Sequence, residues 1–223
     1  MEQIKWDVIL SAYIHHKDAL QCFMSIPRYN HELYRHSTNV AFYSTIIGGA
    51  YYQNTNDLKE LFLAALFHDI GKLKIPRELL DKPDKLTADE RRIIEQHPLM
   101  GYVLLQERTN LPERILNGVL DHHERVNGSG YNGKQGNDIS DYAKIISVAD
   151  VYDAMTSNRV YHKSFPQEIV CNYLYSNAGD LFEKKLVDYF TNHIFDIDND
   201  QQKIKFRNIL KDKILEEYSA LLC

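Results

Sequence analysis

The chain is short of cysteine, of basic charge and of long apolar runs, and each shortage closes off a class of protein. Three cysteines stand among 223 residues: Cys22, Cys171 and Cys223. They lie far apart, are odd in number and form no Cys-x-x-Cys pair, which excludes a disulfide framework or zinc ribbon and suits reduced thiols in the cytoplasm. Lys and Arg number 26 against 31 Asp and Glu, so the formal net charge is −5 and no basic surface is offered to a nucleic-acid polymer. The longest apolar run, Leu61 to Phe67, falls far short of the roughly 20 residues that span a bilayer, so membrane insertion is not expected. Glu2, Lys5 and Asp7 interrupt the N-terminus, so it carries no signal-peptide core. Period-2 alternation, internal repeats and low-complexity segments are missing as well.

What is present reads as helix. Ile4, Val8, Ile9, Ala12 and Tyr13 recur at helical spacing. Leu33 to Ile47 reads as a second helix, interrupted by Gly48-Gly49, and Asp57 to Phe67 as a nearly all-apolar and therefore central one, with Pro76 stopping any continuation. Thr87 and Glu90 form a capping-box pattern that opens a helix to about Arg108, kinked or split at Pro98. Pro112 opens another that ends around His123. Ile139 to Ser157 returns to helix, Ser164 and Gln167 flank a further start, and Asp200 to Leu222 reads as an amphipathic helix. The segment Asn127-Gly128-Ser129-Gly130-Tyr131-Asn132-Gly133, then Gly136, must turn sharply or let the backbone approach something closely. The expected architecture is all-α, a compact multi-helix domain framing an inner site. The apolar faces of the terminal helices offer either a homodimer surface or packing on the domain's own core.

Polar residues sit where such helices would prefer apolar ones. His68-Asp69 closes the most apolar helix, and burying an unpaired polar group costs about 2–7 kcal/mol. Either a hydrogen-bonded pair or a metal ion would satisfy it. The pair has company: Glu32 and His36 share a helix face at i, i+4, His97 precedes Pro98, His122-His123 precedes the glycine loop, and Asp150 lies in the apolar stretch Ser147-Val148-Ala149-Asp150. Imidazole and carboxylate without thiolate disfavour a structural zinc site and suit iron, manganese or another divalent ion. More than four ligands suggests two or three ions sharing a carboxylate, an arrangement that clamps the oxygens of an in-line phosphoryl displacement.

The ordered motifs Glu32-x-x-x-His36, His68-Asp69-Ile70-Gly71-Lys72, Ile75-Pro76, Lys82-Pro83, Leu86-Thr87, His97-Pro98-x-x-Gly101, His122-His123-Glu124-Arg125, Gly128-Ser129-Gly130-Tyr131 and Val148-Ala149-Asp150 closely resemble the HD-GYP subgroup of HD-domain phosphohydrolases. The resemblance covers roughly residues 30 to 190. It implies an HD-domain fold with a buried metal site over 31–190, an N-terminal helical extension over 1–30 and a C-terminal helix over 191–223 packing on the domain. It also implies hydrolysis of a cyclic dinucleotide, foremost cyclic di-GMP to the linear dinucleotide pGpG, with a further cut to GMP if a third metal is held. Glu32, His36, His68, Asp69, His97, His122, His123 and Asp150 fall on its metal-ligand positions, Asp69 as the bridging carboxylate and Glu32 as the mark of a trinuclear site. Lys72 falls on a phosphate-contacting position and joins Asp69 as a catalytic residue. As a simpler alternative, Lys72 is a cation at the C-terminus of a helix. Gly130, Tyr131, Arg159 and Lys163 fall on the substrate side.

The departures lie on that side. The family's Gly-Tyr-Pro reads Gly130-Tyr131-Asn132, Val126-Asn127 stands where Trp-Asp is common, and Arg-Pro-Tyr-Lys reads Arg159-Val160-Tyr161-His162, with Lys163 one residue late. Arg159 keeps a bidentate grip on phosphate or a guanine edge, whereas His162 lacks a permanent charge at neutral pH. Cyclic GMP-AMP or another phosphoester therefore stays open as substrate. A nucleotide sensor without turnover and a purely structural helical module are the readings from other classes.

Overall fold

The computed structural model describes residues 4–14, 17–157, 164–197 and 200–221. Among them are twelve α-helices: α1 Trp6–Ile14, α2 Lys17–Tyr29, α3 His31–Gly49, α4 Thr55–Phe67, α5 Arg77–Leu80, α6 Ala88–Ile94, α7 His97–Arg108, α8 Glu113–Asp121, α9 Asp141–Thr156, α10 Gln167–Ser176, α11 Lys184–Ile197 and α12 Asp200–Leu221. Short 3-10 turns occupy Ile70–Lys74 and Gly136–Asp138. No strand longer than a single bridge pair, Ala178 with Phe182, occurs among the described residues.

Local chemistry accounts for the helix starts. The Asn30 side chain accepts from the backbone N–H of Glu32 and Leu33 and caps α3. Asn54 does the same for α4, and Thr87 with Glu90 closes a complete capping box on α6. The helix expected to run from Thr87 to Arg108 is two: α6 ends at Ile94, and α7 starts at His97 with Pro98 in its first turn, where a missing N–H costs nothing. Three helices, α2, the single turn α5 and α11, carry no expectation from the sequence; α2 has Pro27 near its C-terminus, where few backbone bonds remain to be broken.

Helix α4 is the centre. Leu61 to Phe67 are all buried, with α3, α8 and α9 packed round them. The terminal helices cover this core. Trp6 stacks on Phe42 at 5.3 Å and meets Phe206 at 4.7 Å, while Phe206 also touches Phe62. Part of the apolar faces of α1 and α12, at Ile9, Leu10, Phe206 and Leu210, packs on the chain's own core, while Val8 and Ile204 stay exposed. Residue 191, drawn as a boundary from the sequence, lies inside α11. No described helix is long and apolar enough to cross a membrane. Cys22 and Cys171 are free thiols.

Candidate metal centre

Five helices deliver the polar residues to one point. His36 lies in the middle of α3, His68 caps the C-terminus of α4 with Asp69 next, His97 opens α7, His122 caps α8 with His123 next, and Asp150 lies in α9. The side chains of His68, Asp69, His97 and His122 are 0–1% exposed. Two sets of ligand atoms result, each close enough for one ion: Asp69, His97, His122 and His123 in the first, and His36, His68 and Asp69 in the second.

The hydrogen bonds at the outer ring nitrogens decide what faces inward. Nδ1 of His68 lies 2.7 Å from the Ala65 carbonyl, that of His97 2.7 Å from Ile94, and that of His122 2.6 Å from Val119. A carbonyl only accepts, so each Nδ1 carries the proton and, in the neutral ring, Nε2 carries a lone pair. His36 is oriented alike by the Asp153 carboxylate, 2.7 Å from its Nδ1. These lone pairs then face one another: Nε2 of His97 and His122 at 3.2 Å, and Nε2 of His36 and His68 at 3.3 Å. Asp69 stands between the sets. Its Oδ1 is 3.0 Å from His97 and 3.9 Å from His122; its Oδ2 is 3.5 Å from His36 and 3.4 Å from His68. Asp69 Oδ1 is buried and receives no hydrogen bond. Asp150 faces both sets from the far side, Oδ1 at 3.0 Å from His36 and Oδ2 at 3.9 Å from His123. Converging lone pairs and carboxylate oxygens without a proton between them suit cations, so the donor set fits divalent metal.

The charge states agree. Burial and the neighbouring His123, His68 and His97 rings hold His122 well below the usual imidazole range. Burial pushes His123 down to about 3. Burial works to raise the Asp69 carboxyl, but Lys72, His68 and His97 outweigh it and hold it well below the ordinary carboxylate range. For Asp150, burial is likewise outweighed by His36, then His123 and His68. At neutral pH Asp69 and Asp150 are therefore anionic and His122 and His123 neutral, the protonation that metal requires. A linkage follows for the metal-stripped protein. An imidazole held below its ordinary 6.5 binds fewer protons folded than unfolded, so its stability contribution is complete above that pH and lost as pH falls toward 3. The carboxylates add to the loss once pH falls through their ordinary range, about 4. The melting temperature of chelator-treated protein is expected to fall steadily from pH 6.5 downward, and His123→Asn to flatten that fall in a pH series of thermal melts.

The glycine loop leaves this centre at His123. Gly128, Gly133 and Gly136 have positive φ and make its turns. Gly130 is needed for approach: a Cβ there would strike the Glu124 Cα and lie 2.7 Å from the His123 carbonyl oxygen. Glu124, 3% exposed, is the post to which the loop is tied. Its Oε1 accepts from the Asn132 backbone N–H at 2.8 Å and from Asn132 Nδ2 at 3.0 Å, and its Oε2 from the Lys134 N–H at 2.9 Å. Tyr131 is thereby laid against His123, ring centroids 4.6 Å apart, with 44% of the residue exposed. The departure at Asn132 is a change of anchor, since proline has no N–H to give. Asn132→Pro therefore removes both donors to Oε1 and is expected to lower stability by about 1–3 kcal/mol, read from urea denaturation midpoints.

Other expected residues fall as follows. Lys72 lies in the 3-10 turn after α4, its ammonium 2.6 Å from Asp69 Oδ2 and its side chain 21% exposed. Glu32 is half-buried one turn before His36, belongs to neither close-set group, and lines a cavity of about 470 Å³ with His31, Tyr34, Arg35, Thr38 and Arg207. Arg159 and Lys163, with His162, lie outside the described residues. Sequence reasoning passed over Asp153, which orients His36, and the anchoring role of Glu124. Asp153 follows Asp150 by three on an apolar helix, the same kind of signal, but nothing local separates a ligand from the partner of a ligand.

A family profile described as "HD domain" matches residues 24–186. The chain belongs to the HD-domain family. Among curated relatives, the cyclic di-GMP phosphodiesterase response regulator RpfG of Xanthomonas campestris pv. campestris is 40% identical over 134 residues, covering 59% of this chain and 35% of its own length. The 3'3'-cGAMP-specific phosphodiesterase 2 of Vibrio cholerae is 33% identical over 160 residues, covering 71% of this chain and 31% of its own. The chain thus spans about a third of the length of these relatives. Among solved structures, Bd1817, an HDG"Y"P protein from Bdellovibrio bacteriovorus, superposes with a TM-score of 0.62 at 19% identity, covering 83% of this chain and 60% of that one. At that identity it shares the fold.

Proposed function

We propose that this chain is a cytoplasmic metal-dependent phosphodiesterase that opens a cyclic dinucleotide, cyclic di-GMP foremost. The observation that carries the reading is the convergence of unprotonated imidazole nitrogens on the two oxygens of one buried aspartate. Asp69, His97, His122 and His123 would hold one divalent ion and His36, His68, Asp69 and Asp150 a second, with Asp69 shared. Glu32 is the residue toward which a third would be held. Imidazole and carboxylate donors favour iron or manganese. Ions so held supply Lewis acidity toward a phosphodiester and lower the pKa of bound water.

The chain's own groups do the rest. Lys72 places an ammonium at the rim of the centre, where it can contact a non-bridging phosphate oxygen and stabilise the charge developing there. Tyr131 offers a part-exposed ring against His123, and Gly130 lets the loop backbone approach that residue. Arg159 and Lys163 are proposed as further substrate contacts. Residues 31–190 are the proposed catalytic unit, flanked by an N-terminal helical extension over 1–30 and a C-terminal segment over 191–223.

Cyclic GMP-AMP is the second reading, favoured by the altered anchor at Asn132 and by the similarity to a relative named for that substrate. The test is protein purified without oxygen, loaded with Fe²⁺ or Mn²⁺ and given each cyclic dinucleotide separately. Linear dinucleotide from cyclic di-GMP supports the first reading, and preferential cleavage of cyclic GMP-AMP the second. Two bound metals per chain with both substrates intact would overturn the enzyme reading in favour of a sensor.

A further inference from the structure

We infer that Arg207, on the C-terminal helix α12, is a positioning residue for the half of the metal centre that contains His36. A chain of three hydrogen bonds joins them. Arg207 Nη2 donates to Asn39 Oδ1 at 2.6 Å, Asn39 Nδ2 donates to Asp153 Oδ1 at 2.7 Å, and Asp153 Oδ2 accepts from His36 Nδ1 at 2.7 Å. Ser157 Oγ also donates to Asp153 Oδ1, at 3.1 Å. Asn39 and Asp153 are 6% and 2% exposed, so the links run through the interior.

The order of donors admits one arrangement. A guanidinium only donates and an ionised carboxylate only accepts, so the Asn39 amide must present oxygen to Arg207 and nitrogen to Asp153. Arg207 therefore fixes the amide, the amide fixes the carboxylate, and the carboxylate fixes the ring and tautomer of His36. Asn39 lies one turn beyond His36 on α3, and Asp153 one turn beyond Asp150 on α9. The register of α12 is set by its neighbour Phe206, buried against Trp6, Phe42 and Phe62, which places residue 207 over Asn39. Residue 207 lies beyond the segment that the HD-domain profile matches, 24–186. Outer partners of a metal-bound histidine raise its basicity and hold its direction, and their loss costs about 10–100-fold in metal affinity.

The inference rests on the proposed reading of His36 as a ligand. The experiment is chelator competition on the full chain with Mn²⁺, resolving the two dissociation constants, together with thermal melts. Arg207→Ala is expected to weaken one ion by about 10-fold or more and leave the other unchanged. Arg207→Lys, which keeps a donor, restores part of the loss. Asn39→Ala weakens the same ion, and the double variant Asn39→Ala with Arg207→Ala is no weaker than Asn39→Ala alone, because the two act in series. Both constants unchanged in Arg207→Ala, both weakened alike, or additive losses in the double variant would overturn the inference. Parent protein that binds no ion would instead overturn the reading of the centre.

Discussion

Asp69→Asn is expected to abolish turnover and to leave at most one metal per chain. The two side chains have the same shape, so the effect is one of charge and lone pairs. Asp69 directs Oδ1 at His97 and His122 and Oδ2 at His36, His68 and Lys72. An amide keeps one acceptor and turns two N–H groups on the other set, where they repel a cation as the imidazole lone pairs attract it. Whichever way the amide lies, one of the two sets loses its carboxylate oxygen. Lys72 loses the charge it is paired with. Loss of one preorganised group at a centre of charge development costs about 10²–10³-fold in rate, and a group serving two ions stands at or beyond the upper end. Elemental analysis beside a turnover assay checks it. Two metals and a tenth of the parent rate in Asp69→Asn would mean that the carboxylate is no bridge.

The second large effect concerns Gly71, which supplies no ligand atom but packs against the backbone of His97. A Cβ at that position would collide with the His97 carbonyl oxygen and come within 2.5 Å of the Gly101 nitrogen. Both are backbone atoms of α7, so no rotamer relieves the contact. The 3-10 turn carrying Lys72 and the helix carrying His97 would have to separate, drawing Asp69 from His97. Overpacking a core with side chains that can move costs about 1–3 kcal/mol, and here nothing flexible yields. Gly71→Ala is expected to cost about 3 kcal/mol or more and to lose metal with it. Gly101→Ala is the internal control. Its Cβ would meet a Val119 methyl at 3.1 Å, the Gly71 nitrogen at 3.2 Å and an Ile70 methyl at 3.4 Å, contacts that small shifts relieve, so about 1 kcal/mol is expected. Equal unfolding free energies for the two variants would show that the turn and α7 are not held at this distance.

Much of the centre is legible in the sequence because its members announce themselves locally. An aspartate or histidine in an apolar helix must be satisfied, and Asp150 in Ser147-Val148-Ala149-Asp150 or His68-Asp69 after Leu61 to Phe67 says so within a few residues. Even the tautomers are local: His68, His97 and His122 each place Nδ1 on the carbonyl three residues back. The capping box at Thr87 and the starts at Pro112 and Pro166 are local too. Helices α2 and α11 carry the same local signal, and the sequence reading passed over it: Ala19, Phe23 and Ile26, and Leu186, Val187, Phe190 and Ile194, recur at helical spacing and are buried.

The sequence alone determined the helical class and which polar residues stand in apolar helices, since both depend on residue type and near-neighbour spacing. The tertiary structure decided how those residues divide. Which oxygen of Asp69 faces which histidines, why Asn132 holds the loop without a proline, and how Arg207 reaches His36 are settled by groups up to 168 residues apart in the chain. Spacing along a helix places a side chain on a face. Only the packing of helix on helix selects what that face meets, and so divides ligands from the residues that aim them.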